Sequence, residues 1–220
     1  MHNTLKFEEF KICVKAYYEK YGFLCMPMTG KRPILLTDEI KYCDSALIVP
    51  ENTPRLSSEI LQKPDWLYNI CQIADRYSQC LTGIACDCTL SNVIGLDFDD
   101  KKFFRHWHRT YKIACPISST GNGFHAFIRS TQKLKRVLMT DYYDIQAWRF
   151  MVLPPSLYYV ISKDRKGFCW ERGKKDRYNW VVETELPTVN LKDIGLIPSW
   201  FLEESQEEVV YNTRKDNLLL

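Results

Sequence analysis

The stretch Val93-Ile94-Gly95-Leu96-Asp97-Phe98-Asp99-Asp100 carries the strongest signal for the fold. It is a nearly continuous apolar run that ends in acids, which is typical of a buried central strand. On a strand, Asp97 and Asp99 point to the same face, and Phe98 points to the other. Two such carboxylates are costly without a cation, and Mg²⁺ and Mn²⁺ prefer oxygen ligands. The stretch therefore predicts a metal site, with a polar turn paired to the following lysines as the alternative.

A glycine-rich turn follows in Ser118-Ser119-Thr120-Gly121-Asn122-Gly123-Phe124-His125. Two glycines separated by one residue allow positive φ and a close approach of backbone N–H groups to an anion, and hydroxyls nearby add donors. A triphosphate would fit such a nest. His125, at the start of the next predicted strand, can donate a hydrogen bond to a phosphate oxygen. The alternative is a tight hairpin with a packed histidine.

A third acid precedes a stiff strand exit. Asp144 comes before a predicted strand, Arg149 to Val152, which ends in Leu153-Pro154-Pro155-Ser156. Each proline ring fixes φ and removes a donor, so the strand stops there. Asp144 is a candidate third metal ligand, although a single acid is more often a surface group.

Composition indicates one sizeable globular domain of 220 residues, with 45% hydrophobic, 14% aromatic and 26% charged residues. We expect no membrane segment, because no apolar run approaches the roughly 18 residues that span a bilayer. Nine cysteines and no visible export signal favour free thiols and a cytoplasmic location. The net charge of +3 does not by itself indicate a nucleic-acid binder.

Periodicity predicts helices and strands on either side of these motifs. The predicted helices are Phe7 to Tyr21 with Gly22 as its stop, Asp65 to Tyr77, Lys101 to Tyr111 and Thr131 to Met139. The predicted strands are Phe23 to Met26, Cys80 to Gly83, Asn92 to Phe98, Ile117 to Ser119, Phe124 to Ile128, Tyr142 to Gln146, Arg149 to Val152 and Tyr158 to Ile161. Proline and glycine in Thr29 to Pro33 predict a loop without regular structure. We expect a catalytic domain over residues 1–202 and a tail or linker over residues 203–220.

Taken in order, these motifs resemble the bifunctional primase-polymerase family of the archaeo-eukaryotic primase superfamily, over about residues 10–182. The matching motifs are Lys31-Arg32-Pro33, Thr82-Gly83, Asp97-Phe98-Asp99, Thr120-Gly121-Asn122-Gly123-Phe124-His125, and Asp144 with Pro154-Pro155-Ser156. The resemblance implies an α+β fold, in which an RRM-like antiparallel sheet flanked by helices joins an N-terminal α/β unit. The active site would lie in the cleft between them.

The resemblance also implies roles for these residues. Asp97, Asp99 and Asp144 would be catalytic and would bind Mg²⁺ or Mn²⁺. Nucleotide binding would fall to Thr120, Gly121, Asn122, Gly123, His125, Lys31 and Arg32. The chain departs from the family at Gln146, where an arginine is frequent, and at Ala147-Trp148-Arg149, which replaces a glycine-rich spacer. Whether this part of the chain contacts the nucleotide or the template is therefore open. Arg149 is a candidate to replace the family's arginine.

A basic cluster with interleaved aromatic residues is a candidate single-strand track, because cations neutralise phosphates and aromatic faces stack bases. We assign template binding to Arg165, Lys166, Arg172, Lys174, Lys175 and Arg177, with Phe168, Trp170, Tyr178 and Trp180 among them. A solvated β-hairpin is the alternative.

Two other patterns raise metal hypotheses that the residues support less well. Cys71, Cys80, Cys86 and Cys88 lack the two short-spaced pairs of a structural zinc site, which favours free thiols. His106-Trp107-His108 resembles the metal motif of rolling-circle nicking endonucleases, but on a helix residues i and i+2 diverge, so we interpret the pair as surface.

The leading hypothesis is a nucleotidyltransferase that synthesises and extends primers on single-stranded DNA from nucleoside triphosphates by a two-metal mechanism. A helicase domain or protein is a further partner suggested by family analogy. The alternatives are a metal-dependent nicking endonuclease and a non-catalytic module that binds single-stranded nucleic acid. The preference for ribo- or deoxynucleotides is not determined by these motifs.

Overall fold

The computed structural model describes residues 4–29, 32–34, 41–43, 46–48, 60–79, 81–132, 134, 137–147, 150–164, 167–198 and 201. For residues 32, 41–43, 46–48, 158–164 and 167–175 it describes the backbone alone. Within these ranges the fold is α+β, with three α-helices and mainly antiparallel sheets. The predicted tail over residues 203–220 lies outside the described residues.

The three helices are α1 (Phe7–Tyr21), α2 (Trp66–Arg76) and α3 (Lys101–Tyr111). Helix α1 buries one apolar face and ends at Gly22, which takes the left-handed conformation with φ of 71°. The side chain of Asp100 caps α3, since its Oδ1 accepts hydrogen bonds from the backbone N–H groups of Lys102 and Phe103. Of the three acids after the apolar run, the last is therefore a helix cap.

The strands are, in chain order, β1 (Cys25–Thr29), β2 (Arg32–Pro33), β3 (Lys41–Cys43), β4 (Ala46–Ile48), β5 (Gly83–Asp87), β6 (Ile94–Phe98), β7 (Ile117–Ser119), β8 (Phe124–Ser130), β9 (Leu138–Met139), β10 (Tyr143–Gln146), β11 (Phe150–Leu153), β12 (Leu157–Asp164), β13 (Gly167–Arg177), β14 (Asn179–Val182) and β15 (Thr188–Val189). The first sheet has the order β11-β5-β1-β2. The second has the order β14-β7-β8-β6-β10-β9, with β15 parallel to β8. Two hairpins, β3–β4 and β12–β13, each form a separate two-stranded sheet.

The second sheet has two faces with different neighbours. One face meets the first sheet: a Cβ on Gly95 would lie 2.3 Å from the Met151 side chain, and the rings of Phe127 and Phe23 are 5.6 Å apart. The other face packs on α3, where the Phe98 ring lies 4.9 Å from that of Trp107. Residues of β6 alternate between the two faces, so the side chain of Asp97, two residues after Gly95, lies towards the first sheet.

Many of the elements predicted from periodicity are confirmed. Helices α1 and α3 have the predicted bounds, and α2 lies within one residue of them at each end. Three predictions were wrong. The strand expected at Cys80 to Gly83 begins only at Gly83, and Leu81 and Thr82 lie outside β5. In the predicted helix Thr131 to Met139, the described residues are not helical, and Leu138–Met139 pairs with β10. Arg32–Pro33 pairs with β1 although a loop was expected. Pairing with a neighbouring strand outweighed the local preference in the last two segments.

Among the described residues, no helix is both long enough and apolar enough to cross a bilayer.

Candidate active site

Four polar side chains form a row across adjacent strands of the second sheet. Asp97 on β6 is the direct partner of Asp144 on β10 and of His125 on β8, and His125 is the partner of Ser118 on β7. Directly opposite residues of antiparallel strands point to the same face, with Cβ atoms about 4.5–5.5 Å apart. Residues from four separate stretches of the sequence are thus brought together on the face that meets the first sheet.

His125 is held at both ring nitrogens. Nδ1 lies 3.0 Å from the carbonyl oxygen of Val152 on β11, and Nε2 lies 3.4 Å from Oδ1 of Asp97. The ring also packs against Tyr178, at 5.5 Å between centroids, and edge-on against Phe127. Its position therefore links the acidic strand of one sheet to a strand of the other.

Asp99 lies just beyond the end of β6, between two turns. Its N–H and that of Asp100 both donate to the carbonyl oxygen of Tyr142, at 3.1 and 3.4 Å, which ties the acids to the turn before β10. On the other side, a Cβ on Gly123 would lie 1.6 Å from the carbonyl oxygen of Phe98. The glycine turn therefore rests directly on the end of the acidic strand.

The glycine turn is closed by its own hydrogen bonds, and its glycines do not take the positive φ that the sequence would allow. The Gly123 N–H donates to Thr120 Oγ1 at 2.8 Å, and the Thr120 N–H donates to the Gly123 carbonyl at 3.0 Å. Neither Gly121 nor Gly123 has positive φ; among the described glycines, Gly22 and Gly195 do. Gly123 is required for close approach to β6 rather than for a left-handed backbone.

The polar side chains of the site differ in how far they are buried. Asp144 and His125 are each only 6% exposed, while the Asp97 side chain is 30% exposed and Asp99 lies at the surface. Ser118 Oγ and Gln146 Oε1 are buried and accept no hydrogen bond in the described part of the chain. Gln146 lies two residues after Asp144 on the same strand, where an extended backbone places both side chains on one face.

The donor types suit a hard divalent cation, since Mg²⁺ and Mn²⁺ are bound mainly by carboxylate oxygens. Asp97 and Asp144 lie directly opposite each other, and Asp99 follows at the strand end. Within the described ranges, however, no group of three or more His, Cys, Asp or Glu residues is close enough to hold a metal ion. The site thus offers two directly opposed carboxylates and, at the strand end, a third acid that is exposed.

The other assigned nucleotide and template residues are placed less completely. Lys31, Arg165 and Lys166 lie outside the described residues, and Arg32 is described by its backbone in β2. Arg172, Lys174 and Lys175 belong to β13, again by backbone alone. Arg177 pairs with Glu9 of α1 at 2.7 Å.

Two aromatic residues of the basic cluster belong to the core instead. Tyr178 is buried against His125, and Trp180 packs edge-on against Tyr17, to whose hydroxyl its Nε1–H donates at 3.0 Å. The Tyr17 hydroxyl in turn donates to the Pro154 carbonyl at 2.7 Å. These contacts explain why aromatic residues stand here without any need for stacked bases.

The Thr-Gly and Pro-Pro-Ser motifs meet each other. Ser156 Oγ accepts from the Ile84 N–H at 2.8 Å and donates to the Ile84 carbonyl at 3.1 Å. A Cβ on Gly83 would lie 2.5 Å from that hydroxyl oxygen, and the Leu157 N–H donates to the Thr82 carbonyl. Both motifs thus fasten β11 and the chain after it to β5.

The described cysteines form no metal cluster. Cys86 and Cys88 are buried on and beside β5, whereas Cys71 is half-exposed on α2; Cys80 lies outside the described residues. A hydrogen bond with the Cys86 thiol, together with burial, raises the pKa of Cys88. Cys71, Cys86 and Cys88 are free cysteines.

The histidine pair lies on α3, as predicted. His106 is exposed, and the His108 ring stacks on Phe104 at 5.7 Å.

Sequence reasoning missed the contacts that His125 makes across the two sheets. Val152 contributes a backbone carbonyl, which carries no sequence signal, and Tyr178 was assigned to the template track. The predicted strand Arg149 to Val152 is apolar from Phe150 onwards, which indicates burial but does not name the opposing face.

Compared with models of known protein families and with curated proteins, the chain matches none.

Proposed function

We propose that this chain is a primase-polymerase, which joins nucleotides on a single-stranded DNA template with Asp97, Asp99 and Asp144 as its catalytic acids. The observation that carries the proposal is the strand register, in which Asp97 lies directly between Asp144 and His125. These residues are far apart in the sequence and belong to three of the motifs on which the family resemblance rests.

The glycine turn supports the same proposal. It rests on the end of β6 through Gly123, so its backbone lies beside Asp99. A triphosphate bound at the Thr120–Gly123 turn would therefore have its phosphates next to the acids. The finer fold belongs to the proposal too: the second sheet would be the RRM-like sheet, and the first sheet with α1 and α2 the N-terminal unit.

The proposed reaction is an in-line displacement at phosphorus. The 3′-hydroxyl of the growing strand releases its proton to solvent water and attacks the α-phosphorus of the bound nucleotide, the new P–O bond forms, and pyrophosphate leaves with the electron pair of the broken P–O bond. When bound, Mg²⁺ or Mn²⁺ would lower the pKa of the hydroxyl and neutralise charge on the phosphates. Asp97 and Asp144 would hold and orient the cation from β6 and β10, with Asp99 at the open edge.

The template would reach the site along the β12–β13 hairpin. This hairpin starts directly after Ser156 and returns next to Tyr178, which contacts His125. Its basic residues would neutralise backbone phosphates, and a helicase would be a natural partner because it exposes single strands.

The test is nucleotide incorporation on unprimed and primed single-stranded DNA, with each nucleotide type and with Mg²⁺ or Mn²⁺. Asp97→Asn and Asp144→Asn should each abolish incorporation, because each removes a charged ligand. Asp75→Asn is the matched control, since Asp75 is an exposed acid on α2. Equal activity of the Asp97 and Asp75 variants would refute the catalytic assignment.

The same assay separates the alternatives. A covalent protein–DNA adduct that disappears when His106 and His108 are changed would indicate a nicking endonuclease. Binding to single strands without incorporation under either metal would indicate a non-catalytic module.

A further inference from the structure

Helix α3 concentrates positive charge to a degree that neither α1 nor α2 approaches. Residues 101–112 hold five Lys or Arg residues and no Asp or Glu, although the net charge of the whole chain is only +3, so the rest of the chain is acidic on balance. Helix α1, by contrast, has three acids and three lysines. The five cations of α3 and its C-cap are all exposed, and they are Lys101, Lys102, Arg105, Arg109 and Lys112.

These five cations share one side of the helix, which we call the basic face of α3. At about 100° per residue, they fall within less than half of the helix circumference. Phe104 and Trp107 are buried on the other side. Within the described part of the chain, none of the five forms a salt bridge, whereas on α1 Lys15 pairs with Glu19. A face of unpaired like charges is the electrostatic footprint of a site for a polyanion.

An exposed aromatic ring lies beside the first turn of this face. Tyr142 is 52% exposed, and its ring stacks on that of Phe103, with 5.5 Å between centroids and 10° between planes. Phe103 stacks in turn on Tyr143 at 5.2 Å, so the outer ring is held in a fixed orientation with one face covered. Aromatic faces stack unpaired bases and cations neutralise phosphates, so the two features together suit a single strand of nucleic acid.

The Tyr142 ring is also close to the acids. The Tyr142 carbonyl oxygen accepts hydrogen bonds from the N–H groups of Asp99 and Asp100, and the side chain of Asp100 caps α3. The exposed ring, the start of the basic face and Asp99 therefore meet where β6 ends. A strand bound along α3 would reach the candidate active site at Asp99.

We propose that Tyr142 and the basic face of α3 bind an unpaired strand of nucleic acid. One base stacks on the Tyr142 ring, and the phosphates next to it follow α3. That this strand is copied or extended at the acids rests on the proposed function, but the binding surface does not. An acidic protein segment would use the cations alone, so the ring distinguishes the two kinds of partner.

Stacking on Tyr142 can be measured without nucleotide or metal, by fluorescence anisotropy with a labelled oligodeoxythymidylate. Tyr142→Ala should weaken binding roughly 5- to 100-fold, because a stacked base loses its aromatic partner. Tyr142→Phe keeps the ring and should bind as the wild type does. Tyr68→Ala is the matched control, since Tyr68 is 65% exposed on α2, and it should leave binding unchanged.

An abasic strand of the same length isolates the role of the base. It keeps the phosphates but offers nothing to stack, so the wild type and Tyr142→Ala should bind it equally well.

The basic face is tested by the dependence of binding on salt. Replacing Lys101, Arg105 and Arg109 together by alanine should reduce the slope of log K against log salt by about 2, for three lost phosphate contacts. Alanine favours the helix, and circular dichroism checks that α3 is kept. The control replaces three exposed lysines at and near α1, and its slope should match that of the wild type. These lysines are Lys6, Lys11 and Lys15.

The outcomes separate this surface from the proposed function. Equal slopes for the two triple variants, or a Tyr142→Ala variant that binds oligodeoxythymidylate as tightly as the wild type, would overturn the surface. Equal weakening of the abasic strand and oligodeoxythymidylate by Tyr142→Ala would overturn the stacking. A wild-type protein that shows both effects but incorporates no nucleotide would refute the proposed function and leave the surface established.

Discussion

At the scale of single residues, the site depends on how closely two backbones approach. Gly123 leaves no space for a side chain above the carbonyl of Phe98, so the turn and the acidic strand are held at a fixed separation. The same residue closes its own turn through the Thr120 hydroxyl. The position of the turn relative to Asp99 is thus set by the absence of one carbon atom.

Gly123→Ala should therefore impair the proposed activity and also lower the free energy of unfolding, because the added methyl group would meet a backbone atom. The added methyl group must push the turn away from β6, and misplacement by about 1 Å can cost on the order of 100-fold in rate. The measurement is kcat/KM for nucleotide incorporation, with the exposed Gly121→Ala as control. Equal activity of the two variants would show that the turn need not rest on the strand.

Some of this could be predicted from the sequence. The apolar run identified β6, and alternation placed Asp97 and Phe98 on opposite faces, as observed for Phe98 in the α3 core. The pairing of Asp97 with Asp144 could not be derived from local pattern, because strand order depends on contacts between distant segments. The resemblance to a known family supplied it as an expectation.

At the scale of elements, the junction between β5 and the exit of β11 is held by one side chain. Ser156 bonds both backbone groups of Ile84, and Gly83 leaves room for it. The sequence indicated a turn and a stiff exit, but not that they meet.

Ser156→Ala should lower the free energy of unfolding by about 1–3 kcal/mol, because buried backbone groups lose their hydrogen-bond partner. Gly83→Ala should cost about 1–3 kcal/mol through overcrowding. Its cost should shrink in a Ser156→Gly background, which removes the atoms that the methyl group would strike. Urea unfolding of the wild type, Gly83→Ala, Ser156→Gly and the double variant measures this difference. If Gly83→Ala costs the same in both backgrounds, the contact between Gly83 and Ser156 is contradicted.

The β12–β13 hairpin offers a test of the template assignment. Replacing Arg172, Lys174 and Lys175 by alanine should weaken binding to single-stranded DNA and reduce the slope of log K against log salt by about 2, for three lost phosphate contacts. Three exposed lysines elsewhere, Lys11, Lys15 and Lys192, form the control set. Fluorescence anisotropy at several salt concentrations gives the slopes of the hairpin variant and of the control variant. Equal slopes would show that the hairpin does not bind the template.

Elements were predictable where one face is continuously apolar, as in α1 and α3. The helix predicted at Thr131 to Met139 is contradicted by Leu138 and Met139, which pair with β10: Leu138 lies opposite Ile145. Helical periodicity in a short segment does not exclude this.

At the scale of the whole molecule, buried thiols make stability depend on alkaline pH. Burial raises the pKa of Cys115 to about 12, and it also raises the pKa of Cys25. In the unfolded chain these thiols lose their protons from about pH 8.5, while the native protein keeps them. The contribution of these thiols to the free energy of unfolding should therefore be fully present below that pH. Above it, the free energy of unfolding should fall by up to about 1.4 kcal/mol per pH unit for each such group.

The check is urea unfolding between about pH 8 and pH 10, within the range where the unfolded thiols ionise. Cys115→Ala should reduce the slope of stability against pH, whatever it does to stability at neutral pH. A slope unchanged by this substitution would show that the Cys115 thiol does not contribute.

The two sheets are interleaved along the chain, and this has a consequence for synthesis. β1 and β5 come early, but β11, which covers the edge of β5, follows five strands of the second sheet. During synthesis on the ribosome, the edge of β5 that pairs with β11 stays unpaired until Leu153 has emerged. Neither sheet can be excised as a continuous fragment, and a nascent chain halted before β11 would expose an edge able to pair with another copy.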